Sequence, residues 1–240
     1  MLQLEHIDKS LARGATRSAL RGLAARDPGR RESLKRFAIA NPMSARRNEK
    51  ARRRWIAKLP KPALFRLVAN ADATEVAWIE ALTALPQPND PWSGVQLARV
   101  TLQVRPGGAP MDVQPICFID QHVLMRIAQR AGDLNVAAYP ADIAKQTLGW
   151  IQAANEVGAA RIAVPYRDGI LYGRRVSDCA VMTTYIGYAQ LSNYRRDALE
   201  RLREDLPPLP RMPRLGLLPE DLCQRVAEAM ARACDRSGAR

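Results

Sequence analysis

Histidine is almost missing from this chain, which holds two in 240 residues, and aromatic side chains make up only 5%. Cysteine is sparse as well. Cys117, Cys179, Cys223 and Cys234 form no C-x-x-C pair, and no histidine stands at a metal-ligand spacing from any of them. A zinc site is therefore not expected, and scattered single cysteines fit packing in a reducing compartment. Asp112, Asp120, Asp133 and Asp142 show no ligand spacing either, so metal-assisted nuclease chemistry has no support and no metal is assigned. "RPGGAP" lacks the Lys-Ser/Thr of a phosphate loop, and no cofactor is expected. No run approaches the roughly 20 apolar residues of a membrane span. "MLQLEHIDKS" places Glu5, His6 and Asp8 where a signal peptide needs apolar residues, so the expectation is a cytoplasmic protein without membrane contact.

Acid is scarce at one end. Residues 1–60 hold sixteen Lys and Arg against five Asp and Glu, a net of +11 out of +13, which leaves +2 for the other 180 residues. Such a concentrated field favours polyanions: nucleic acid first, with an acidic protein bound by a scaffold or effector as the alternative. Arginine supplies nearly all of it, since only six of the 37 basic residues are lysine. With 47% apolar residues the chain can bury a core, which excludes global disorder.

The N-terminal 60 residues read as basic helices broken at Asp27-Pro28-Gly29 and Asn41-Pro42. In "SARRNEKARRRWIAKL", Arg46, Arg47, Arg52, Arg53 and Arg54 surround the helix rather than forming a stripe, and Trp55 follows directly. An aromatic beside cations can stack on a base, so these six are candidate nucleic-acid contacts. A solvated arm is the alternative. Residues 61–85 read as one or two helices with Leu64, Leu67, Val68, Val76, Ile79 and Leu82 inward. "PQPNDPWSG", 86–94, marks a boundary.

Beyond it the texture alternates. Strands are expected at 95–105 and 112–119, helices at 120–132 and 139–158, and a β-meander from 160 to 187 with turns at Asp168-Gly169 and Ser177-Asp178. Helix returns near 188–205. "LPPLPRMPRLGLLP" is an extended linker, and a last helix begins at Pro219 with Leu222, Val226, Met230 and Ala233 on one face. The expected fold is α+β: a basic helical N-terminal region (1–90), a small antiparallel sheet packed with helices (91–205), and a Pro-rich linker with a C-terminal helix (206–240).

The candidate site lies in "FIDQHVLMRIAQRAG". His122, Arg126 and Arg130 are four residues apart twice over, so a helix stacks them in one column about 12 Å long. No carboxylate stands three or four residues from Arg126, and only Asp133 could pair with Arg130. An arginine fork suits a phosphodiester, and a histidine can move a proton to or from a ribose hydroxyl. His122 at a helix N-terminus should have a lowered pKa and be neutral. The same pattern is also what the wet side of an ordinary helix shows. A second candidate is "YRDGILYGRR", where Tyr166, Tyr172, Arg174 and Arg175 could stack and hold phosphate, or could simply be a hairpin with charged edges.

"IDQHVLMRIAQR", followed by "YRDGILYGRRVSDCAVMTTYI", resembles the RelE/barnase-type toxin ribonucleases over residues 112–188, about a third of the chain. The resemblance implies a small α+β domain that cleaves RNA without metal. It casts His122 as acid/base and Arg126 and Arg130 as phosphate holders. Thr184 or Tyr185 would line the same pocket from a strand.

Overall fold

The structure, a computed structural model, describes residues 7–25, 32, 33, 36, 40, 65–67, 75–84, 93–103, 110–208 and 218–235. In chain order these form α1 (Lys9–Ala24), β1 (Phe65–Leu67), β2 (Glu75–Ala84), β3 (Gly94–Gln103), β4 (Met111–Asp120) and α2 (Gln121–Ala131). Then come α3 (Tyr139–Glu156), β5 (Arg161–Tyr166), β6 (Gly169–Val176), β7 (Cys179–Ile186), α4 (Asn193–Asp205) and α5 (Glu220–Asp235). The basic stretch with Arg46, Arg47, Arg52, Arg53, Arg54 and Trp55 lies outside the described residues, as does linker 209–217.

The fold is α+β, and the sheet is larger than the sequence suggested. Seven strands run in the order β1-β2-β3-β4-β7-β6-β5. Two antiparallel meanders, β1–β4 and β5–β7, are joined by one parallel pairing of β4 with β7. That pairing is possible because two helices, α2 and α3, lie between the two meanders in the chain and supply the crossover.

The helical expectation for residues 61–85 needs correction. Residues 65–67 and 75–84 are strands, not helix. β2 reads "EVAWIEALTA", rich in helix-forming Ala, Leu and Glu, yet its ten residues pair one for one with β3. Ala77, Ile79 and Ala81 join the main core with Val95 and Leu97, while the alternate residues Trp78, Glu80, Ala98, Val100 and Leu102 are buried too. A strand buried on both faces loses its polar alternation, and sheet pairing overrides helix propensity. The same pairing carries the sheet across 86–94, so the stretch read as a boundary separates neighbouring strands of one sheet.

The hairpin turn after β5 also shifts by one residue. Tyr166 pairs with Gly169, so Arg167 and Asp168 make the turn, and Arg167 takes φ +51°. Gly169 starts β6, where a Cβ would meet the Ile186 carbonyl at 2.3 Å. The Ser177-Asp178 turn falls where the sequence places it.

The helices cover the core. α2 buries Val123, Leu124 and Ile127 completely, worth about 1.5–3 kcal/mol each. α5 buries Val226, Ala229, Met230 and Ala233 and packs on α3 and the edge strand β5. Glu156 at the end of α3 anchors it: its carboxylate accepts from the Leu218 backbone N–H at 3.1 Å and lies 3.6 Å from the Cys223 thiol. Burial, then that carboxylate, pushes the thiol up to about 11. All four cysteines are free, with Cys117 buried in β4. Among the described residues, no helix is long and apolar enough to cross a membrane.

Candidate functional site

β4 ends at Asp120, whose carboxylate caps α2 by accepting from the His122 backbone N–H at 2.6 Å. Gly132 closes the helix at φ +64°, a left-handed cap that favours glycine. Both ends are thus set by residues the sequence marks plainly. Between them the apolar face turns inward and leaves His122 exposed and Arg126, Gln129 and Arg130 half-buried along the outer side.

The column forms as the spacing predicts. Arg126 Nε donates to His122 Nε2 at 3.3 Å, and its Nη1 donates to Gln129 Oε1 at 3.2 Å. An imidazole that accepts at Nε2 is neutral, with its proton on Nδ1. The His122 pKa is lowered accordingly: burial comes first, then the charge of Arg126, with Asp120 opposing and Lys9 and Arg130 adding to the depression. Arg126 pairs with no carboxylate among the described residues. Three cations, Lys9, Arg126 and Arg130, therefore crowd one imidazole.

Arg130 is held differently. Its Nη1 donates to the Tyr185 carbonyl, and its guanidinium lies 5.9 Å from the Tyr185 ring centroid. Burial and the neighbouring Arg126 lower its pKa. It anchors α2 to β7 and keeps only part of its donor fork for anything else.

The strand residues divide. Tyr185 is buried on the α2 side of the sheet, its hydroxyl donating to Asp168 at 2.7 Å. Burial, then that carboxylate, pushes the hydroxyl up, and its proton is engaged by Asp168 rather than by His122. Thr184 pairs with Tyr172 and, by strand alternation, faces the other side of the sheet from Tyr185. The structure thus does not bring Thr184 to the column. Arg174 and Arg175 pair with Val181 and Ala180, up to five residues along β7 from Tyr185, roughly 17 Å at strand rise. Arg175 is further occupied by Asp178 at 3.0 Å.

The chain path adds two residues that spacing could not reveal. The Arg130 stem lies beside Gly187: a Cβ there would stand 3.6 Å from Arg130 Cδ and 2.9 Å from Gln190 Oε1. Tyr188 follows, 39% exposed, with the Arg196 guanidinium of α4 over its ring at 4.9 Å and Arg196 Nε donating to its carbonyl at 3.4 Å. The only sequence signal was "YAQLSNYRR", tyrosines and arginines in a short polar stretch.

A second arginine cluster sits at the β5–β6 turn. Arg167 Nε and Nη2 both reach Asp142 Oδ2 at 3.0 Å, and Tyr166 donates to the same oxygen at 2.7 Å. The guanidinium lies 5.0 Å from the Tyr139 ring and 5.4 Å from the Tyr166 ring, and the Arg167 carbonyl accepts from Arg203 of α4 at 2.9 Å. Burial pushes the Asp142 carboxyl up, but hydrogen bonds from Tyr166, Gln146 and Arg167 outweigh it and hold it below its ordinary value.

A groove of about 420 Å³ runs between α1 and residues 134–137, but its lining is Ala, Leu, Val, Gly, Ser18 and Asn135, without acid, base or cation. No group of three or more His, Cys, Asp or Glu among the described residues is placed to hold a metal. No protein-family model, curated protein or solved structure matches the chain.

Proposed function

We propose that the protein binds nucleic acid, with the outer face of α2 as a phosphate-contacting surface. The observation that carries this reading is Arg126: a half-buried guanidinium on the outer face of α2, hydrogen-bonded among the described residues only to neutral partners and set among other cations. Like charges on a helix face repel, and a column of them without acids is stabilised when an anion arrives. The net +11 in residues 1–60 supplies long-range attraction for the same class of partner.

The test is fluorescence anisotropy with labelled RNA and DNA across a salt series. Affinity should fall steeply with salt, and Arg126→Ala should weaken binding and reduce the salt slope by about one. Binding that ignores Arg126→Ala sinks the α2 assignment.

A second reading, RNA cleavage without metal, is favoured by the Arg126–His122 hydrogen bond. It keeps a neutral imidazole beside an arginine, and a phosphate displacing His122 from Arg126 frees Nε2 to take a 2′-hydroxyl proton. Cleavage of a labelled RNA pool in EDTA, lost in both His122→Ala and Arg126→Ala, is its expected signature. An inert wild type eliminates it and leaves the binding reading.

A further inference from the structure

We propose that the surface from Arg126 over Arg130 to Tyr188 and Arg196 takes a single-stranded nucleic acid, with Tyr188 as a base-stacking platform and Arg126 and Arg196 as phosphate contacts, given that the α2 face binds nucleic acid at all. Phosphate contacts alone do not select a single strand, because a duplex offers the same phosphates at higher charge density. An aromatic ring does, because only an unpaired strand offers a free base face to it.

Tyr188 has what such a platform needs. The residue is 39% exposed, although the chain is poor in aromatics and most of its described tyrosines are buried or half-buried. It is pre-set: Arg196 lies over it at 4.9 Å and also donates to its carbonyl, so ring and guanidinium are held as one unit before any ligand arrives. Little side-chain freedom is then left to lose on binding. It is also adjacent to the column. Arg130 is about 6 Å along α2 from Arg126, and its stem packs on Gly187, the residue before Tyr188. A Cβ at Gly187 would stand in ordinary contact with the Arg130 stem, at 3.6 Å from Cδ, and would press only on the flexible end of Gln190. Cation, cation, aromatic and cation therefore follow one another across the join of α2, the β7 exit and α4, the alternation a flexible strand uses to seat phosphates and a base in turn.

Tyr194 provides an internal control. It is 50% exposed, but it lies two residues from Arg196 and so on roughly the opposite side of α4.

The experiment uses the full chain and four labelled probes of one mixed sequence: single-stranded RNA, single-stranded DNA, and the duplex of each. Single strands of either sugar should bind about tenfold or more tighter than duplexes. Tyr188→Ala should lose about tenfold on single strands and little on duplexes, while Tyr188→Phe and Tyr194→Ala keep wild-type affinity. Duplexes bound as tightly as single strands, with Arg126→Ala weakening both, overturn the single-strand assignment and leave the phosphate-contacting reading standing. A single-strand preference that survives Tyr188→Ala also overturns it. No binding by any probe, or binding indifferent to Arg126→Ala, overturns both.

Discussion

Arg126 and Arg167 present the same guanidinium in opposite settings. Arg167 lies at the surface but is compensated: a carboxylate takes two of its donors, two tyrosine rings flank it, and its own carbonyl is tied to Arg203. Arg126 has an imidazole, an amide and the positive charge of its neighbours. The first arrangement neutralises its charge and fixes a turn to two helices. The second leaves a charge on an outer face that no acid among the described residues compensates. In a chain where arginine is this common, the type of residue says little, and the partner set separates arginines that build the fold from arginines that await a ligand.

The contrast can be broken most forcefully from beneath. Tyr185 underlies both regions, bonded to Asp168 in the turn and covered by Arg130 of α2. Tyr185→Ala should destabilise the protein by about 3–5 kcal/mol in urea unfolding, whereas Tyr185→Phe should cost about 1 kcal/mol for the lost hydrogen bond. Next, Arg167→Ala should cost about 1–2 kcal/mol, since its bond to Asp142 is partly solvated, and should leave nucleic-acid affinity unchanged. It should also flatten the acid limb of stability. The folded Asp142 carboxyl is held below its unfolded value, so its contribution is present above that unfolded value and is lost as pH falls through the folded one. Arg126→Ala should show the reverse pattern, with stability within about 0.5 kcal/mol of wild type and affinity down about tenfold.

The smallest effect is the subtlest. His122 should titrate below 6.5 by NMR in the free protein. Because its folded pKa lies below the unfolded one, its contribution to stability is present above about 6.5 and is lost as pH falls towards the folded value. A bound polyanion should raise that pKa, so affinity should increase as pH drops through the same range, and His122→Ala should remove the increase. A titration that does not move on binding places His122 outside the interface.

Much of the α2 region was legible because its signals are local. Asp120, Gly132 and the four-residue spacing all act within one helix, and a 3.6-residue period is enough to place them. The meander was legible for the same reason, up to a one-residue slip at Arg167-Asp168. β2 was not, because its identity depends on a partner strand and on burial of both faces, neither of which leaves a period in "EVAWIEALTA". Thr184 and Tyr185 could not both face one pocket, since neighbouring strand residues point to opposite faces. Tyr188 and Arg196 were beyond reach of spacing altogether, being brought beside Arg130 only by the path of the chain out of β7.

The seam between the meanders has a consequence in time rather than in space. β4 and β7 meet over Cys117–Ile119 and Ala180–Met182 alone, while every other described pairing joins strands that are close in the chain. Closing that seam requires a loop of about 60 residues to come together first, an entropic toll that grows with loop length. The two hairpin stacks are thus expected to assemble early and to dock late, which makes the docking step the slow phase of refolding. Arg130, which ties α2 to the Tyr185 carbonyl, bridges that join, so the face proposed to meet nucleic acid is complete only after the last step of folding.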